Sequence, residues 1–302
     1  MPPREIRSSP RLKPGDVVGL VAPASWADRA WLDANVAQLE SWGLRVQVGE
    51  HVGDRLGFLA GRDEDRDSDL NAALVDPDVR AVIALLGGCG SLRLLRSVDV
   101  AVLQSDPKPL VGFSDITALH RVWQAAGVAS LHGCIDGTHA DEVRAQLFGD
   151  QPTVVSGEEG GFTAPLTTSG VATGSLVGGS LEMLARSVGV VDLDLQGRVL
   201  LIEANRAAGL GMVDRALTQL ILSGALDGVR GVALGRFHGF EEYRDRGWTV
   251  LDVLHDRLDV LRVPILAGLP LGHGPSPRTV PLGTSCTLDA DAGTLTCRPA
   301  LH

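Results

Sequence analysis

Three residues of the types used in acyl transfer occur in the order serine, acid, histidine. Ser114 lies in PLVGFSDITALH, where a short apolar run meets an amphipathic segment; Glu203 directly follows the apolar run VLLI; His273 lies between glycines in LGHGP. Such a set has a defined chemistry. Imidazole takes the hydroxyl proton, a carboxylate holds the imidazole in the right tautomer, and backbone N–H groups meet the developing oxyanion. Each residue also admits a plainer reading. Ser114 or Asp115 could cap a helix, Glu203 could end a strand by reaching solvent, and His273 could be a surface loop residue. The stretch is not the GxSxG of lipases, because Ile116 stands where the second glycine belongs.

A fourth feature is LGGCGS, residues 86–91, between an apolar run and SLRLLRS. A glycine-rich strand-to-helix turn can cradle an anion with its backbone N–H groups; it can equally be a tight turn that needs positive φ. It has neither the GK[ST] ending of a P-loop nor GxGxxG spacing, so no nucleotide cofactor is expected. His132, Cys134, Asp136 and His139 in LHGCIDGTHAD match no zinc spacing, and no metal is expected.

The elements that must position these residues follow from periodicity. Strands are expected at 16–22, 44–48, 79–86, 198–202 and 231–234, and helices at 27–43, 63–74 and 212–222. Ile116, Leu119, Trp123 and Ala126 give a further helix stopped by Gly127. CTLDADAGTLTC reads as a hairpin. Between about residues 138 and 173 the rhythm fails and Gly, Ser, Thr and Pro accumulate, marking a connection or a strand-rich edge. The expected fold is α/β: an N-terminal parallel-sheet domain over 1–150 carrying the serine, and a second, smaller α/β domain over 151–302 carrying the acid and histidine.

The 302 residues are 44% hydrophobic and 21% charged, with net charge −10 and lysine only at 13 and 108. That balance argues against a nucleic-acid partner. No apolar leader or membrane-spanning run is visible, so a cytoplasmic protein without a membrane partner is expected. Cys89, Cys134, Cys286 and Cys297 show no CxxC spacing, and reduced thiols are the default.

Along almost its whole length the chain resembles the LD-carboxypeptidase family of serine peptidases, which includes the microcin C self-immunity peptidases. The likeness runs through LKPGDVVGLVAPAS, FLAGRDEDRDSDLNAALVDPDVRAVIALLGGCGSLRLL, PKPLVGFSDITALH, LVGGSLEMLARSVG, VLLIEA, VDRALTQL and LPLGHGPSPRTVPLG. The resemblance implies a catalytic triad of Ser114, Glu203 and His273. It implies oxyanion donors at the N–H groups of Asp115 and Gly88, and a substrate site bordered by Gly87 and Ser180. It also implies a homodimer, a small peptide substrate, and release of a terminal D-amino acid from cytoplasmic muropeptides. The alternatives are an amidase that detoxifies peptidyl- or aminoacyl-nucleotide antibiotics, and a binding homologue without turnover. Leu86 and Cys89 replace the family's usual Arg and Tyr around the double glycine, Ser180 its Asn, and Ala204 its usual acid. Loss of a guanidinium and a phenol removes groups able to hold a substrate carboxylate.

Overall fold

In a computed structural model, residues 7, 9–135, 140–191 and 194–302 are described. Asp136 and His139 of the LHGCIDGTHAD segment lie outside them. The described chain is mixed α/β and divides into two compact units: residues 1–151 with 281–283 and 299–302, and residues 152–280 with 284–298.

In the first unit β1 (Val17–Val21), α1 (Arg29–Ser41), β2 (Arg45–Val48), α2 (Asp63–Val75) and β3 (Val79–Ala84) alternate. They are followed by α3 (Val100–Ser105), β4 (Leu110–Gly112), α4 (Thr117–Ala126), β5 (Ser130–His132) and α5 (Ala140–Phe148). The strands β2, β1, β3, β4 and β5 lie side by side in that order and pair in parallel. Every residue of β1 is buried, as a strand covered on both faces must be. Val18 and Leu20 join a core with Leu39 of α1. Gly19 faces the other way, so close to α2 that a Cβ there would stand 2.8 Å from that of Ala73.

In the second unit come β6 (Thr153–Ser156), β7 (Val171–Ser180), α6 (Leu181–Ser187), β8 (Val199–Asn205), α7 (Leu210–Leu222), β9 (Gly231–His238), α8 (Val250–Leu258) and β10 (Ile265–Leu266). β11 (Val280–Leu282) then joins the first sheet beside β5, before β12 (Ser285–Asp289) and β13 (Thr294–Cys297) close the second. The seven-stranded sheet has the order β10, β9, β8, β7, β12, β13, β6. Its β7 to β10 half is parallel and its other half antiparallel. Leu200, Ile202, Val232 and Leu234 pack there with Leu184, Leu217, Phe237 and Phe240.

The Gly-, Ser- and Thr-rich stretch contains β6 and the start of β7, so it is strand-rich in the structure. Residues 91–94 form a 3₁₀ turn and not an α-helix. Among the described residues, no helix is long and apolar enough to cross a membrane.

Candidate active site

Ser114 belongs to the first unit. β4 ends at Gly112, Phe113 is extended at φ −155° and ψ −173°, and Ser114 turns to φ 61° at the head of a 3₁₀ turn leading into α4. A left-handed conformation costs a non-glycine residue about 1–2 kcal/mol and persists only where its surroundings impose it. They do so here. The Ser91 hydroxyl donates to the Asp115 carbonyl at 2.6 Å, and the Asp115 carboxylate accepts the Ser91 N–H at 2.8 Å. The Asp115 carboxylate thus serves the glycine turn, and Ile116, at the head of α4, provides no side-chain cap.

The LGGCG turn lies against this elbow. A Cβ on Gly87 would stand 3.0 Å from the Ser114 Cβ and 3.4 Å from the Asp115 nitrogen, which explains why the residue is glycine. Gly88 adopts φ +98°. Ser25 clasps the turn: its N–H donates to the Gly87 carbonyl at 3.1 Å, and its hydroxyl accepts the Cys89 N–H at 3.1 Å. Behind it the Arg66 guanidinium is buried, donating to the Pro23 carbonyl and pairing with Asp63 at 2.5 Å. Ser25, Ser91 and Arg66 were not singled out from the sequence. Their partners lie 24 or more residues away except for Asp63, and no local pattern marks them.

His120, on α4, is wholly buried. Its Nε2 donates to the Gly112 carbonyl at 2.8 Å, and its Nδ1 lies 2.9 Å from the Ser130 hydroxyl. Burial, and secondarily the nearby His132, lower its pKa from 6.5 to about 3, against the opposing Gly112 hydrogen bond. The neutral ring therefore supports the strand that ends at the elbow. Between these two values an unfolded histidine binds a proton that the folded one refuses, so stability is lost as pH falls from 6.5 toward 3. The slope from this one group is up to about 1.4 kcal/mol per pH unit. Urea midpoints measured across that window should fall less steeply for a folded His120→Gln protein than for the wild type.

Glu203 and His273 belong to the second unit. The strand does not end at residue 202 with its apolar run: β8 continues to Asn205, and Glu203 is completely buried. The β8–β9 register shifts between Ile202 and Ala204, at Glu203 itself, and such irregularities re-aim side chains beside functional sites. One carboxylate oxygen, Oε2, accepts both the His273 Nδ1–H at 2.7 Å and the His273 backbone N–H at 3.2 Å. Among the described residues nothing hydrogen-bonds the other oxygen, Oε1. Gly272, at φ +87°, makes this approach possible, because a Cβ there would fall 2.4 Å from Oε2. Ser180 is buried at the end of β7, in register with Glu203 on the neighbouring strand.

The glutamate and histidine are therefore brought together, and the serine is set on an elbow against the glycine turn. Such a pairing fixes the imidazole with Nδ1 as donor, leaving Nε2 the ring atom suited to proton transfer. Elsewhere, His51, Asp54 and Asp65 bring one ligand atom each within 4.8 Å of one another, with His51 ion-paired to Asp54 at 3.2 Å.

The family model described as the LD-carboxypeptidase N-terminal domain matches residues 18–133, and that described as the C-terminal domain matches residues 173–288. A Streptomyces coelicolor protein named "Putative carboxypeptidase" is 39% identical, over 99% of this chain and 98% of its own. A Bacillus subtilis protein named "Probable murein peptide carboxypeptidase" is 32% identical over 92% and 90%. The crystal structure of muramoyltetrapeptide carboxypeptidase from Oxalobacter formigenes matches with a TM-score of 0.81 at 27% identity, covering 93% of this chain and 97% of that one. With both domain models matched in order and relatives aligned nearly end to end, the chain belongs to the LD-carboxypeptidase family, a family of peptidases.

Proposed function

We propose that the protein is a serine carboxypeptidase that hydrolyses the L,D-peptide bond of muropeptides and releases a terminal D-amino acid. The observation that carries this reading is the φ of 61° at Ser114, held by Ser91 and abutted by a glycine turn. A strained hydroxyl on a strand-to-helix turn is the geometry of an activated nucleophile. Ser114 Oγ attacks the carbonyl carbon while His273 Nε2 takes its proton, and Glu203 stabilises the resulting imidazolium through Nδ1–H. The N–H groups of Asp115 and Gly88 receive the oxyanion. The same proton passes to the leaving amine, and a water then repeats the attack to free Ser114. Names of relatives that refer to murein peptides support the substrate class.

Mass spectrometry of products after incubation with a muropeptide tetrapeptide should show loss of the terminal D-alanine. The C-terminally amidated tetrapeptide should be turned over about tenfold more slowly or worse, since a carboxypeptidase acts beside a free terminal carboxylate and the amide presents neither its charge nor its second acceptor oxygen. Equal turnover of both peptides would remove the carboxypeptidase assignment. Cleavage of an aminoacyl sulfamoyl adenosine, with the tetrapeptide left intact, would move the protein to the antibiotic-detoxifying branch.

A further inference from the structure

The loop that carries His273 has positive φ at Gly272, Gly274 and Ser276, at 87°, 117° and 45°. The two glycines adopt it without strain but leave the backbone beside His273 free to take other paths, and the serine adopts it at a steric cost, so the observed path needs holding from outside the loop. Two attachments to one residue of β9 do this. The Arg236 backbone N–H donates to the Leu271 carbonyl at 2.9 Å, two residues before His273. The Arg236 guanidinium donates through Nη1 to the Pro275 carbonyl, two residues after it. Between these anchors the loop rests on the arginine stem, for a Cβ on Gly274 would stand 3.1 Å from the Arg236 Cδ.

The guanidinium is itself oriented. Its Nε and Nη2 donate to the two carboxylate oxygens of Glu158 at 3.3 and 2.6 Å, a bidentate pair that fixes the plane of the fork. The arginine side chain is only 16% exposed, whereas Glu158 is 44% exposed. An arginine used only for solubility would have no need of this enclosure. Lysine could not reproduce both edges of the fork.

We propose that Arg236, oriented by Glu158, is the positioning residue of His273: it clamps the loop on both sides and so holds the imidazole on the Glu203 carboxylate. The proposal rests on the reading of Glu203 and His273 as the base pair of the reaction. Arg236 acts through the loop and bonds no reacting atom.

The test uses the full chain and two readouts. The first is the far-downfield NMR signal of the His273 Nδ1 proton shared with Glu203, identified by its loss in His273→Ala; it needs no substrate. The second is the separation of kcat from KM on the tetrapeptide. Arg236→Met keeps the apolar stem under Gly274 and removes the clamp. It should shift or broaden the downfield signal and lower kcat about 10²-fold, as expected for a displaced catalytic group, with KM little changed. Arg236→Lys should recover part of the kcat through one remaining donor. If Arg236→Met does not fold, Glu158→Gln is read in the same way, with a loss of about tenfold expected from an arginine that is present but less well oriented.

A downfield signal unchanged in position and width in these variants overturns the proposal, as does a loss carried by KM alone. Absence of the signal from the wild type overturns it too. Failure of the reaction assignment is distinguishable. An active Ser114→Ala protein would remove the serine mechanism, while a shifted signal in Arg236→Met would still identify Arg236 as what positions His273.

Discussion

Ser114→Ala and His273→Ala should each lower kcat by roughly 10⁴-fold or more, and the double variant should be little worse than either alone. In the proposed mechanism hydroxyl and imidazole act as one unit: without the hydroxyl there is no nucleophile to activate, and without the imidazole its proton has no acceptor. Glu203→Gln should cost somewhat less, because it leaves both groups present but presents the imidazole with an amide that cannot stabilise a positive ring. Backbone strain supplies an independent check on the serine. Ser114→Gly should be as inactive as Ser114→Ala yet more stable by about 1 kcal/mol, since glycine accepts φ of 61° without the Cβ penalty. Circular dichroism must first show each variant folded, because Glu203 is buried and its replacement could unfold the second unit. Near-normal turnover by folded Ser114→Ala would return the serine to a purely structural role.

Gly272→Ala should have the next largest effect, a loss of about 10²-fold in kcat, although residue 272 bears no reactive group. The added methyl meets the Glu203 carboxylate at 2.4 Å in a residue already at φ +87°, so either the loop or the carboxylate must move. Carboxylate displacement breaks the 2.7 Å bond to Nδ1; loop displacement carries the imidazole away with it. Both outcomes misplace the base by a fraction of an ångström to an ångström, which is enough to lose the alignment that proton transfer requires. Gly293→Ala is the control. It also has positive φ, at 69°, but nothing lies within 4 Å of its added methyl. It should lose stability through backbone strain while keeping its turnover. Equal kcat for Gly272→Ala and wild type would mean that the Glu203–His273 contact is not needed for the reaction.

Much of the scaffold is legible from local pattern. The runs DVVGLVA and VRAVIALL are apolar on both faces and form buried parallel strands, and Gly127 ends α4 in the left-handed conformation a stop requires. The order serine, glutamate, histidine and the glycines around the first and last of them are written in the chain itself. The alternatives that local pattern left open were decided by contacts distant in sequence. Asp115 could have capped its helix, but Ser91 takes its carboxylate. Glu203 could have reached solvent at a strand end, but pairing with β9 carries β8 two residues further and buries the carboxylate at a register shift. Nothing near residue 236 indicates that its arginine would reach both sides of a loop some forty residues later.

The division has a physical cause. Helix periodicity, strand alternation and the positive φ of a glycine depend on a residue and its near neighbours, so composition and spacing determine them. Burial of a carboxylate, the partner of a guanidinium and the register of parallel strands depend on which distant segments pack together. Those were decided only when the tertiary structure closed around them.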